Sequence, residues 1–361
     1  MRRVGAAWHV ISTGAFPMNE SMKQVVLRAH PQGAPRVEDF AVETADIPSA
    51  GPNQVLLRTL WLALDPLIRF ALDPVPMTGP NRVRIGEPVY GGTVSQVVST
   101  NHPNFAVGDF VEGRTGWREY AAVDPTKTPL RKLDPNTAPV STGLGVVGMP
   151  GQTAYACMIN VGRVAAGETV VISAAGGAVG STAGQIGKIL GAKVIGIAGG
   201  AAKCASVEAL GFDACIDYRA TDFPSRLAAA CEGGVDVYIE NVGGDVTDAV
   251  MPLLKYRARM PVCGFIAYYG IGKEGPGPDR LPGFMRTVMS KGLEVRGFGG
   301  AMTGGPEALR QLAAWVKEGR LRHPETIVDG LESAPRAFAG VFRSNDYVGK
   351  LLVRVGRIDP E

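Results

Sequence analysis

Hydrophobic positions between Lys23 and about Val140 fall in short runs broken by Pro and Gly; beyond Gly143 they settle into regular alternation. The early runs Gln54–Leu60, Val89–Val98 and Phe110–Glu112, with turns at 48–52, 74–80 and Val107-Gly108-Asp109, predict a mostly β unit with one or two short helices. After Gly143, short apolar stretches predict strands at 170–173, 193–197, 214–217, 235–239, 259–263 and 293–296. Amphipathic stretches between them predict helices at 152–161, 178–190, 203–210, 223–230 and 246–254. Six strands with intervening helices predict an α/β fold with a doubly wound parallel sheet. A further helix is expected at 309–317. Strand character returns at 349–355, a tail expected to fold back onto the N-terminal β unit.

The segment VVISAAGGAVGSTAGQIGKILGAKVIGIAGG, from Val170 to Gly200, is the most informative part of this pattern. A buried strand, a glycine turn, an amphipathic helix and a second buried strand put helix N-terminal amides where a pyrophosphate can sit. Ala175 stands where the strict fingerprint has its first glycine, while Gly177 and Gly180 keep theirs. The alternative is a glycine-rich βα turn with no ligand. An NAD site carries Asp or Glu at the end of the second strand, to accept from the ribose 2′-OH. Here that strand ends Ile197-Ala198-Gly199-Gly200 without a carboxylate, and Lys203 follows in the next helix. Lys203 reads either as a solvated helix lysine or as a partner for a 2′-phosphate, and the missing acid favours the phosphate and NADP(H).

Composition narrows the class further. The 361 residues suit about two domains, and 45% hydrophobic with 20% charged residues is ordinary for a globular enzyme. A net charge of +3 without any Lys/Arg stripe gives no footprint for nucleic acid, and no apolar run is long enough to span a membrane. Five scattered cysteines (Cys157, Cys204, Cys215, Cys231, Cys263) form no disulfide framework and suit the cytoplasm; they are expected as buried small apolar residues, most clearly Cys215 and Cys263. None of His9, His30, His102 and His323 stands at ligand spacing from a cysteine, so a tetrahedral zinc site is not expected. Residues 1–21 differ in texture and are expected as an upstream start or loosely ordered extension, with a transit peptide as the alternative.

Several motifs in order then carry a family resemblance from Met22 to Val355. They are Leu64-Asp65-Pro66 with Arg69, Gly148-Met149-Pro150-Gly151 leading to Thr153-Ala154-Tyr155, and Ala174–Gly180. Glu240-Asn241-Val242-Gly243-Gly244, Pro261-Val262-Cys263-Gly264 followed by Tyr269, and Gly349-Lys350-Leu351-Leu352-Val353 complete the set. With them the chain resembles the zinc-free medium-chain dehydrogenase/reductases, in the alkenal/prostaglandin (curcumin reductase-like) branch. The resemblance implies a Rossmann domain at 141–322, a GroES-like domain at 22–140 completed by a return at 323–361, and a homodimer. It implies that Gly177, Ala178, Val179 and Gly180 hold the pyrophosphate of NADP(H), and that Lys203 and Tyr218 clasp the 2′-phosphate. Asn241, Cys263, Gly264 and Tyr269 would lie along the nicotinamide half, with Phe298 and Gly299 closing over its ribose. Tyr218 also reads as a strand-end residue and Asn241 as a turn residue. The chain departs from the family at Leu67-Ile68, where Tyr-Met is common, at Gly270, in the small residues after Phe298, and at Asn345 and Tyr347 near the terminal Gly-Lys pair. Leu67 and Ile68 make the substrate side more apolar.

The implied activity is NADPH-dependent reduction of the C=C bond of an α,β-unsaturated ketone or aldehyde, with hydride to the β-carbon and charge passing to an enolate oxygen. Tyr269 is the candidate O–H donor to that oxygen, with a cofactor ribose hydroxyl as helper; the other reading makes it a pocket wall. Quinone reduction with the same cofactor, and a nucleotide-binding protein without catalysis, are the rival functions.

Overall fold

In the computed structural model, residues 21–74, 82–269, 277–298, 304–343 and 347–357 are described. The chain begins with β1 (Ser21–Leu27) and β2 (Phe40–Asp46), an antiparallel pair. Ser21, expected within the leader, opens β1; residues 1–20 lie outside the described residues. Then come β3 (Val55–Ala63), the single turn α1 (Ile68–Ala71), β4 (Thr93–Thr100), β5 (Phe110–Gly113), β6 (Tyr120–Val123) and β7 (Arg131–Leu133). Arg69 on α1 is 2% exposed. It donates to Asp73 Oδ1 at 2.6 Å and to the carbonyls of Gly33 and Pro31 at 2.9 and 3.1 Å, tying the 31–33 loop to this turn.

The second unit starts with α2 (Met149–Tyr155), which continues as a π-helical turn over Ala156–Val161. It proceeds through β8 (Thr169–Ile172), α3 (Ala178–Ile189), β9 (Lys193–Ala198), α4 (Ala201–Glu208), β10 (Ala214–Asp217) and α5 (Phe223–Ala230). Next are β11 (Val235–Ile239), α6 (Gly244–Val250), β12 (Leu254–Val262), α7 (Leu281–Lys291), β13 (Glu294–Gly297) and α8 (Gly305–Lys317). The six strands form one parallel sheet in the order β10-β9-β8-β11-β12-β13. This is the doubly wound order, with its switch point between β8 and β11. All four residues of β8 are buried, as a strand covered on both faces requires.

Helix α3 packs close because glycines stand among the core residues Ala183 and Ile186 on its buried face. A Cβ on Gly180 would stand 2.4 Å from the Ala174 carbonyl oxygen, and one on Gly184 would overlap the Phe212 ring. The chain then returns through β14 (Glu325–Asp329), α9 (Ala334–Val341) and β15 (Lys350–Arg354). These two strands complete a sheet ordered β14-β15-β3-β4-β5-β7, with β6 also on β3. Leu352 pairs with Ala63, and Phe338 of α9 meets Phe40 and Trp117 edge-on at 6.1 and 5.5 Å. The expected return of the tail onto the β domain is therefore present.

Candidate functional site

The turn after β8 is built to bring backbone against a ligand. The Ala175 amide donates to Ile197 O at 2.9 Å, so the residue in the first-glycine position is seated inside the sheet layer. Gly196 makes room there, since its own Cβ would stand 2.9 Å from that of Ala175. Ala174 takes φ +49°, a left-handed conformation that costs an alanine about 1 kcal/mol. Gly177 caps α3, and the following amides of Ala178, Val179 and Gly180 form the helix's first turn, whose N–H groups point outward from the N-terminus.

The end of β9 carries a cationic group of side chains laid over glycines. The Lys203 stem passes over Gly176, where a Cβ would come within 2.8 Å of its Cγ and Cδ. Tyr218 and Arg219 stand over Gly199 in the same way, with the guanidinium 5.8 Å from the Tyr218 ring centroid. Asp217, at the end of β10, accepts from the Gly200 and Arg219 amides at 2.8 and 2.9 Å. Those amide bonds hold its carboxyl below the usual carboxylate range.

Across the switch point, the turns after β11 and β12 are organised by Glu240, which is 3% exposed. Its carboxylate accepts from Ser173 Oγ, the Tyr238 hydroxyl, Thr247 Oγ1 and the amides of Val242 and Gly243. Asn241 uses its amide side chain within the same cluster. Its Nδ2 donates to Ser173 O at 2.8 Å, and its Oδ1 accepts from Cys263 Sγ at 2.7 Å. The Asn241 and Val242 carbonyls accept from the Ile266 and Ala267 amides, zipping the two turns together.

A third wall comes from the other domain. The Gly349 amide donates to Gly176 O at 2.8 Å, and Gly349 forms a parallel bridge with Gly177. Gly349 takes φ +72°, and a Cβ there would lie 1.8 Å from Pro324 O. Next to it, Lys350 is 5% exposed and ion-paired with Asp65. Together these walls enclose a cleft of about 550 Å³ between the domains, within the usual range for a small-molecule site.

Gly177, Ala178, Lys203 and Tyr218 line this cleft. Val179 and Gly180 lie behind them in the first turn of α3. Asn241, Cys263 and Gly264 are off the wall itself, with Asn241 and Cys263 hydrogen-bonded to each other, and Phe298 packs half-buried on the core cluster that includes Val170 and Ile172. Gly299, Gly270 and Asn345 lie outside the described residues. Tyr268, Tyr347 and Phe342 join Tyr218 on the wall; Tyr269 sits off it, its ring 4.4 Å from Phe70 and edge-on to Phe265 at 5.3 Å. Burial pushes the Tyr269 hydroxyl up from its ordinary value, making it a weaker acid. Burial likewise raises the Cys157, Cys204, Cys215 and Cys231 thiols, as expected of cysteines that act as small apolar residues. Cys263 is half-buried and lies just past β12, where a strand residue was expected.

The sequence reading missed Arg219, Tyr268, Arg280, Arg343 and the Asp65–Lys350 pair on the cleft wall. Asp65 and Lys350 both stand in quoted motifs, but nothing in the sequence joins them. Arg280 is held by Asp245 and Asp248 of α6. Among the described residues, no group of three or more His, Cys, Asp or Glu is arranged to hold a metal, and no helix is long and apolar enough to cross a membrane.

Comparison with known proteins places this geometry. Residues 23–130 match the family described as the N-terminal domain of oxidoreductase, and residues 178–318 match the zinc-binding dehydrogenase family. The chain is 46% identical over 338 residues to the NADPH-dependent curcumin reductase of Escherichia coli (strain K12), covering 92% of this chain and 97% of that one. It is 34% identical over 342 residues to the 2-alkenal reductase (NADP(+)-dependent) of Nicotiana tabacum, with 93% and 98% covered. Prostaglandin reductase 1 of Oryctolagus cuniculus is 33% identical over 333 residues, with 91% and 92% covered. Among solved structures, CurA from Vibrio vulnificus in complex with NADPH superposes with a TM-score of 0.86 at 41% identity, over 93% of this chain and 100% of that one.

Proposed function

The chain belongs to the zinc-free medium-chain dehydrogenase/reductases, in the branch of curcumin, prostaglandin and 2-alkenal reductases, and on that premise we propose that it reduces the C=C bond of hydrophobic α,β-unsaturated ketones and aldehydes with NADPH. The observation that carries this reading is the interdomain cleft, with a helix N-terminus on one side and Lys203, Tyr218 and Arg219 over bare glycines on the other. The fit is physical. Side chains at Gly176 and Gly199 would fill the space these residues occupy, and Asp217 is engaged by backbone amides rather than offered to a ribose hydroxyl.

In this reading the amides of Gly177, Ala178, Val179 and Gly180 hold the pyrophosphate, and Lys203 and Tyr218 hold the 2′-phosphate beside Arg219. The Asn241 and Cys263-Gly264 turns support the nicotinamide half, with Phe298 and Gly299 on its ribose side. NADPH supplies the hydride. The chain positions the alkene, excludes water and offers polar hydrogens where charge develops on the carbonyl oxygen. Leu67 and Ile68, beside Met149 in a small hollow that Asp65, Glu112 and Arg114 also line, supply the apolar part of the substrate side.

We also propose a homodimer through β13, the edge of the parallel sheet. Beside it α7 presents Leu281, Met285 and Met289 on one face, with Met289 79% exposed. Antiparallel pairing centred on Val295 sets Glu294 opposite Arg296 of the second copy.

The test is product analysis with NADPH carrying deuterium at the transferred position, against hydrophobic enones, enals and quinones. Label on the former β-carbon of a saturated ketone or aldehyde supports the reading. Label on the carbonyl carbon, turnover of quinones alone, or a cofactor-binding protein inert to the whole panel overturns it.

A further inference from the structure

Lys350 and Asp65 form an ion pair between β15 and the turn after β3. Lysine is among the residues least often buried, and as a mere strut an ion pair is matched or bettered by apolar side chains of similar volume. Its place in the site gives the pair a different meaning. Lys350 follows Gly349, which is hydrogen-bonded to Gly176 and bridged to Gly177, so its backbone lies beside the strand-to-helix turn, while its side chain lines the cleft and its ammonium pairs with Asp65. Asp65 lines that same cleft and also the small hollow walled by Leu67, Ile68, Tyr90 and Met149. Lys350 and Asp65 both line the cleft, and Asp65 also reaches the hollow, which Glu112 and Arg114 line as well, whereas Tyr269 is packed against Phe70 and Phe265.

We propose that Lys350 is a catalytic residue that gives a proton to the enolate oxygen of the substrate, and that Asp65 is the positioning residue that aims its ammonium. This rests on the enone-reductase reading above. Hydride from NADPH forms the new C–H bond at the β-carbon, the alkene π pair moves toward the α-carbon, and the carbonyl oxygen takes up the charge. An N–H bond of Lys350 then breaks as an O–H bond forms, leaving a neutral amine and an enol. The enol tautomerises to the saturated carbonyl in water, and the amine recovers a proton from water entering the cleft. A positioned donor of this kind contributes roughly 100- to 1,000-fold in turnover.

The experiment uses the full chain and compares Lys350→Met, Asp65→Asn and the charge-matched double variant Asp65→Asn/Lys350→Met. Turnover of a hydrophobic enone is measured in H2O and D2O, together with NADPH affinity by fluorescence titration and the thermal midpoint. Lys350→Met should lower kcat roughly 100-fold or more and enlarge the solvent isotope effect, with the NADPH Kd held within about threefold. Asp65→Asn should lower kcat about tenfold at nearly constant KM. The double variant should regain thermal stability, because no buried charge is left unpaired, but not turnover. Recovery of turnover in the double variant, or wild-type kcat in Lys350→Met, would show the pair to be structural and overturn the proposal. A wild-type chain that reduces no enone would instead defeat the functional reading.

Discussion

Lys203 does two jobs with one side chain: its stem covers Gly176 and its charge stands at the end of β9. Losing a charge-assisted phosphate contact costs about 1.5–3 kcal/mol. Lys203→Ala should therefore weaken NADPH binding roughly tenfold or more and leave NADH nearly unchanged, measured by titrating both cofactors; equal weakening would remove Lys203 from the phosphate site. Tyr269 has the opposite character, a hydroxyl made less acidic by burial among aromatic rings. Tyr269→Phe should keep kcat within about threefold, and a loss of the oxyanion-donor kind, roughly 100-fold, would return the donor role to it. Sequence was informative at this scale where one residue's neighbours are close in the chain, as for Gly177, Gly180 and Lys203. It was silent on Asp65 with Lys350, and on Ser173 with Glu240, because those groups meet only after the sheets have formed.

Element boundaries show which local rules hold. β10, α5 and β11 lie where the hydrophobic pattern puts them. Among the helices that start earlier than expected, α2 at Met149 and α8 at Gly305 carry Pro150 and Pro306 in their first turns, where a missing N–H is harmless. The single helix expected over 152–161 is α2 followed by a π turn, closed by the Gly162 amide on Cys157 O at 2.9 Å. A Cβ on Gly162 would stand 2.2 Å from that oxygen, a contact invisible in a periodicity. β12 begins at Leu254, five positions before the expected 259, because Arg257 at φ +60° accompanies a register shift that interrupts the alternation. The strand expected at 89–98 begins only at Thr93, since Gly91 lies against the Trp117 indole. The close seat of α3 yields a test of its own. Gly180→Ala drives a methyl into the Ala174 carbonyl, so it should cost about 1–3 kcal/mol of stability and weaken NADPH binding together, read from thermal midpoint and cofactor titration. Stability loss without any change in affinity would separate the helix seat from the phosphate site.

Over the whole molecule, the outer edge of β13, which pairs with no further strand among the described residues, is with the α7 stripe the surface expected to carry a second copy. Sedimentation should give about twice the 37.9 kDa chain mass, and the paired substitutions Met285→Asp and Met289→Asp should yield a monomer of unchanged fold. A wild-type monomer would refute that interface. The join of Gly349 to Gly176 reaches furthest in its implications. β15 lies against β3 at the other end of the chain, while Gly349, just before it, clasps the glycine turn. A growing polypeptide can thus form most of both sheets while its nucleotide cleft still lacks a wall, which is completed only when β15 has been made. A nucleotide held in the cleft would then act as a late clasp on an already folded chain, resisting proteolysis and heat across both domains at once and in proportion to its concentration.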